Sequence, residues 1–153
     1  MYTNAFKVIL FFCFGLLFFI FPAHAEQLDR SDAVKVANTV LQALIHDNYE
    51  AIVDLMSPEQ KEEYMPLTPE RLKELEKFFS KDKKKAGNST SVTEICKITT
   101  YRGKTGVAAK VNTKGDEVYV IILALEGSMY FFEDALSLSN SLYKKLEVLQ
   151  TIK

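Results

Sequence analysis

The stretch VTEICKITTYRGKTGVAAKVNTKGDEVYVIILALEGSMYFFE, residues 92–133, decides the fold. Its apolar side chains recur at a period of two, and turn residues interrupt them at short, regular intervals. Val92 to Tyr101 reads as a β-branched strand and Arg102-Gly103-Lys104 as a tight turn. Val107, Ala109 and Val111 share one face of the next strand. Thr113-Lys114-Gly115-Asp116 turns into Val118 to Leu125, which is apolar on both faces, as a strand covered on both sides must be. Glu126-Gly127-Ser128 leads into a fourth strand, Met129 to Glu133. Connections this short join antiparallel neighbours, so the stretch reads as a four-stranded meander.

Upstream, the period becomes that of a helix. Ser31 is placed to cap a first helix bearing Val34, Ala37, Leu41 and Leu44 on one face, widened by Val36 and Val40. It ends at His46-Asp47-Asn48, where Asp47 or Asn48 caps a second helix carrying Tyr49, Ile52, Val53 and Met56. Ser57-Pro58-Glu59 and Thr68-Pro69-Glu70 open a third and a fourth, with proline at the first helical position, where its missing N–H costs nothing. Lys81 to Ser91 has no apolar period and reads as a loop. Beyond the meander, Leu138, Leu142, Leu146 and Leu149 recur at helical spacing, so the tail from Ala135 reads as a closing amphipathic helix. The expected fold is α+β: N-terminal helices packed on a strongly bent antiparallel four-stranded meander around a conical interior, with a closing C-terminal helix.

Residues 1–25 read as a cleaved export signal. Lys7 and the amino terminus supply positive charge, Val8 to Phe21 is unbroken apolar sequence, and Ala23-His24-Ala25 offers small residues at the peptidase positions. The apolar run makes about 21 Å of helix, short of a hydrocarbon core of about 30 Å, and Pro22 stops it. Cleavage is therefore expected over retention as an anchor, with no stable membrane span afterwards. Cys13 follows bulky Phe12, where a lipid-attachment signal needs a small residue. The product, residues 26–153, is expected to form a single domain in a periplasm or, failing that, as a secreted protein. Lys7 is the only charged side chain in the leader, so its removal takes the net charge from −1 to about −2. Such near neutrality argues against a dedicated nucleic-acid binder, whose affinity comes largely from neutralising phosphates. Cys96 is then the one thiol left, so no internal disulfide staples the domain.

The run Ala43-Leu44-x-x-Asp47-x-Tyr49-Glu50-Ala51, followed by Leu55-Met56-Ser57-Pro58-Glu59, resembles the helix–turn–helix opening of small exported proteins of the nuclear-transport-factor-2-like (cystatin-like cone) superfamily. The resemblance covers about residues 33–60, and the expected strand order agrees with it as far as Asp134. It implies a cone of short helices and bent sheet. The superfamily includes ketosteroid-isomerase-like and dehydratase-like enzymes, ligand carriers and exported members without assigned activity. No catalytic motif of the enzyme branches matches, so the resemblance transfers no functional residues. A closing helix after Asp134 departs from the superfamily's usual final strand.

Several side chains carry candidate chemistry. His46, at a helix end beside Asp47, reads first as a residue favoured by the macrodipole. Within residues 26–153, one histidine and one cysteine far apart in sequence give no support for a metal site, and no cofactor is expected. Cys96 reads as a small core hydrophobe, with linkage of two chains and catalysis as lesser readings. Glu94 shares strand parity with Val92, Cys96 and Ile98. Turned into an apolar cone, it would have a raised pKa and serve as a general base, with Tyr119 or Tyr130 donating to a developing enolate. Against that stands an edge strand with Glu94 in water. Lys81, Lys83, Lys84 and Lys85, with Lys73 and Lys77, form the densest positive cluster, but Glu70, Glu74, Glu76 and Asp82 interleave with it and weaken its field.

The expected function is that of an exported, non-catalytic binding domain. It would take an apolar small molecule in the cone, against Tyr119, Ile121, Leu123, Met129 and Phe131, or an envelope protein or second copy of itself on the open sheet face. The alternatives are a small isomerase- or dehydratase-like enzyme using Glu94 with a tyrosine, and a periplasmic lipid or acyl-chain carrier.

Overall fold

The structure, a computed structural model, describes residues 28–152; the expected export signal and cleavage site lie outside them. Four helices come first: α1 (Ala33–Ile45), α2 (Tyr49–Leu55), α3 (Pro58–Tyr64) and α4 (Pro69–Ala86). Strands β1 (Glu94–Thr99), β2 (Thr105–Lys114), β3 (Glu117–Glu126) and β4 (Met129–Ser139) follow, then a short helix α5 (Asn140–Tyr143) and strand β5 (Glu147–Thr151). The five strands form one antiparallel sheet in the order β4-β3-β2-β1-β5. The chain is thus an α+β protein, helices before an antiparallel sheet, and no helix of the described residues is long and apolar enough to cross a membrane.

Side-chain caps set the helix starts. Asp32, rather than Ser31, caps α1 by accepting from the backbone of Val34 and Lys35, while Ser31 donates its hydroxyl to Asp29. Asn48, Ser57 and Thr68 cap the next three, the last two with proline in the first turn. The expected loop from Lys81 is instead the end of α4, which continues to Ala86. Its buried face runs Leu75, Phe79, Asp82 and Ala86 at helical spacing, and the aspartate in that series hid the apolar period. The lysines there sit in the last turn, where cations favour the helix dipole, and Lys83 pairs with Asp47 at 2.6 Å.

The closing helix is also overturned. β4 runs on to Ser139 and pairs with β3 as far as Glu117, because β3 is ten residues long and its backbone needs a partner throughout. Leu136-Ser137-Leu138-Ser139 is strand alternation. Only Asn140–Tyr143 is helical, and residues Glu147–Thr151 return to pair with β1, giving that strand a second neighbour. The expected four strands are therefore five.

α1 lies across β2, β3 and β4, with α4 against α1 and β2. Val36, Val40, Leu41, Leu44, Ile52, Ile121 and Leu123 are wholly buried between helices and sheet. Register shifts in the β1–β5, β2–β3 and β3–β4 pairs mark bulges, each of which increases local twist. On the opposite face Cys96, Ala108, Val118, Val120 and Ile122 form a smaller buried cluster with Tyr143.

Candidate functional site

The outer sheet face carries an apolar groove of about 260 Å³. Its floor is Ile98, Ile122, Leu136 and Leu138, and its wall is Leu142 and Leu146 from the α5 turn. Thr99, Thr100 and exposed Tyr101 form a polar rim at one end. The groove exists because α5 is too short to cover the face that the alternation of β1, β3 and β4 makes apolar.

Beside it, Tyr143 folds onto the sheet. Its hydroxyl donates to Glu94 Oε1 at 2.6 Å and accepts from the Cys96 thiol at 3.1 Å, while Lys110 Nζ lies 5.2 Å from the ring centre. Burial pushes both the phenol and the thiol upward in pKa, and the Glu94 charge adds to each shift. Both groups keep their protons at neutral pH.

The sequence-derived candidates separate. Glu94 is half-buried on the outer face with Cys96, whereas Val92 lies in the helix-side core. Tyr119 is buried in that core and Tyr130 packs against it. The tyrosine that meets Glu94 is Tyr143, which the helical reading of the tail concealed. Ile121 and Leu123 are sealed beneath the helices, Phe131 is buried with the Arg30 guanidinium 4.9 Å from its ring centre, and Met129 is exposed. None of the five proposed ligand contacts lines the groove. His46 is the C-cap of α1, and no cluster of metal-ligating side chains occurs among the described residues.

A second cavity, of about 220 Å³, opens on the helix side between α3, α4 and β4. The β3–β4 bulge builds it: Phe132 pairs with Leu123 and Asp134 with Ile122, leaving Glu133 as the extra residue. The Glu133 side chain is only 1% exposed. Among the described residues no hydrogen-bond donor reaches either of its carboxylate oxygens. Arg102 Nε stops 3.9 Å away and donates instead to the Tyr101 hydroxyl at 3.1 Å. Glu63 and Asp134 also line the cavity, the latter with its pKa raised chiefly by burial. Phe79 and Phe132 form aromatic wall, and Gln60 donates to the Glu133 carbonyl at 3.3 Å. A signal for this site was present in Phe131-Phe132-Glu133-Asp134-Ala135, since adjacent acids in an apolar strand cannot both follow its alternation outward.

The features together define an α+β domain with an apolar groove on its open sheet face and an acidic, aromatic cavity under its helices. No protein-family model, curated protein or solved structure matches the chain.

Proposed function

We propose that the protein is an exported, non-catalytic binding domain, a small member of the nuclear-transport-factor-2-like superfamily, and that its outer-face groove holds an apolar small molecule. The observation that carries this reading is the concave aliphatic lining of that groove, six Ile and Leu side chains around about 260 Å³. Ligand sites are typically concave, mostly apolar and provided with a few polar groups that fix orientation; Thr99 and Thr100 supply those here. The volume suits one ring or a short aliphatic chain better than a whole lipid. The superfamily kinship is supported by the order of short helices before an antiparallel meander and by the bulges that bend it.

The test is native mass spectrometry of the protein recovered from its own envelope fraction, alongside the Leu138→Asp variant. A bound apolar mass that the variant loses is the expected result. A bare monomer, with an anilinonaphthalene dye binding equally to both forms, would sink the reading. A dimer dissociated by the variant would transfer the groove to a protein partner.

A further inference from the structure

We propose that the cavity at Glu133 is a binding site for a primary ammonium group, separate from the outer-face groove. The buried carboxylate sets the chemistry. Its oxygens accept hydrogen bonds, and a carboxylate taken out of water without donors is costly to hold. The bulge that forces Glu133 inward is therefore a local expense that a cationic donor would offset. Glu63 and Asp134 reinforce the negative potential, and Phe78, exposed at the cavity, presents aromatic surface to a cation and its methylene stem.

Arg102 is the resident competitor. Its side chain is about a quarter exposed, its guanidinium carbon lies 5.6 Å from the Tyr101 ring centre, and its Nε is committed to the Tyr101 hydroxyl. Held there, it counters part of the charge while leaving the Glu133 oxygens without a donor. A primary ammonium has three N–H donors on a narrow stem and meets both needs of the site. A quaternary ammonium offers charge without donors, and an alcohol offers a donor without charge.

Titration calorimetry on the purified protein with pentylammonium, tetramethylammonium and pentanol separates these cases. Pentylammonium should bind saturably and at least about tenfold tighter than either comparator. Glu133→Gln should weaken it by about tenfold or more, while Arg102→Gln, which removes the competitor, should tighten it. Opposed effects of the two variants cannot come from a shared loss of folding. Lysine amide acetylated on its α-nitrogen, which keeps the side-chain ammonium free, assigns the site to a protein's lysine if it outbinds pentylammonium and to a free amine if it does not. Equal binding of pentylammonium and pentanol, no saturable binding, or an Arg102→Gln variant that binds more weakly overturns the proposal.

Discussion

The two faces of the sheet are built from the same strands by the same alternation, yet they end differently. On one, α1 and α4 cover a continuous core in which Val40, Leu44, Ile121 and Leu123 have no exposure. On the other, a four-residue helix and Leu146 do the covering, and Tyr143 seals only Cys96 and its neighbours. Leu136 and Leu138 remain half-buried beside the groove. An apolar strand face does not determine its own burial; the length of the segment that returns over it does.

That contrast is broken most directly by paired truncations. Phe132 lies in the helix-side core, 6.1 Å centre to centre from Phe79. Phe132→Ala should cost about 3–5 kcal/mol, the usual range for deleting a buried aromatic. Leu138→Ala, on the groove floor, should cost about 1 kcal/mol, since that side chain is only partly buried. Urea unfolding of the two variants measures both. Equal losses would mean that the outer face is as tightly packed as the inner one.

A backbone probe comes next. A Cβ added at Gly106 would stand 2.2 Å from the Leu123 carbonyl oxygen and 2.9 Å from Thr100 Cγ2. The first of these is a rigid backbone atom in the neighbouring strand, so β2 and β3 must separate to admit it. Gly106→Ala should destabilise by about 1–3 kcal/mol, as overpacking does. The same change at Gly103, where no atom lies within 4 Å of the added carbon, meets only the penalty of a positive φ. Thermal melts of the two variants distinguish steric from conformational cost.

These effects also bear on what was legible in the sequence. The helix-side architecture was readable because proline and hydroxyl caps, the helical spacing of Val36 to Leu44 and the glycine turns all report local geometry. The outer face was not. Leu138, Leu142 and Leu146 recur every four residues, which satisfies a helix and equally a strand end followed by one turn, and the choice rests on the long-range need of β1 for a second strand. Glu94 was correctly grouped with Cys96 and Ile98 but not with Val92, which precedes β1 and turns into the helix-side core. Asp82 and Glu133 escaped for a related reason: buried acids interrupt the apolar pattern by which burial is inferred.

On the outer face, Tyr143→Phe tests whether the hydroxyl network supports the cluster. The variant leaves Glu94 Oε1 and the Cys96 thiol without the shared hydroxyl while the ring stays in place. The expected loss is about 1 kcal/mol in urea unfolding, together with faster thiol modification by a maleimide. An unchanged midpoint would show that the ring alone, packed over Cys96 and Lys110, holds the face closed.

The smallest effect should run the other way. Asp82 sits on the buried face of α4 near the Tyr119 hydroxyl, which is itself buried and without a hydrogen-bond partner among the described residues. Burial raises the Asp82 pKa above its ordinary 3.8, with Lys85 opposing the shift, and the same burial, with the Asp82 charge, raises Tyr119. A carboxyl with a higher pKa folded than unfolded holds its proton more tightly in the native state. Stability therefore falls as pH rises from the unfolded value through the folded one, and is level beyond it. Asp82→Asn keeps the shape and removes the charge, so it should raise the melting temperature at neutral pH by less than Tyr143→Phe lowers it. The gain should shrink as the pH is brought down towards about 4. A gain that persisted unchanged at that pH would place its origin in amide hydrogen bonding to Tyr119 rather than in relief of a buried charge, and a loss at neutral pH that vanished on acidification would mean that Lys85 outweighs burial.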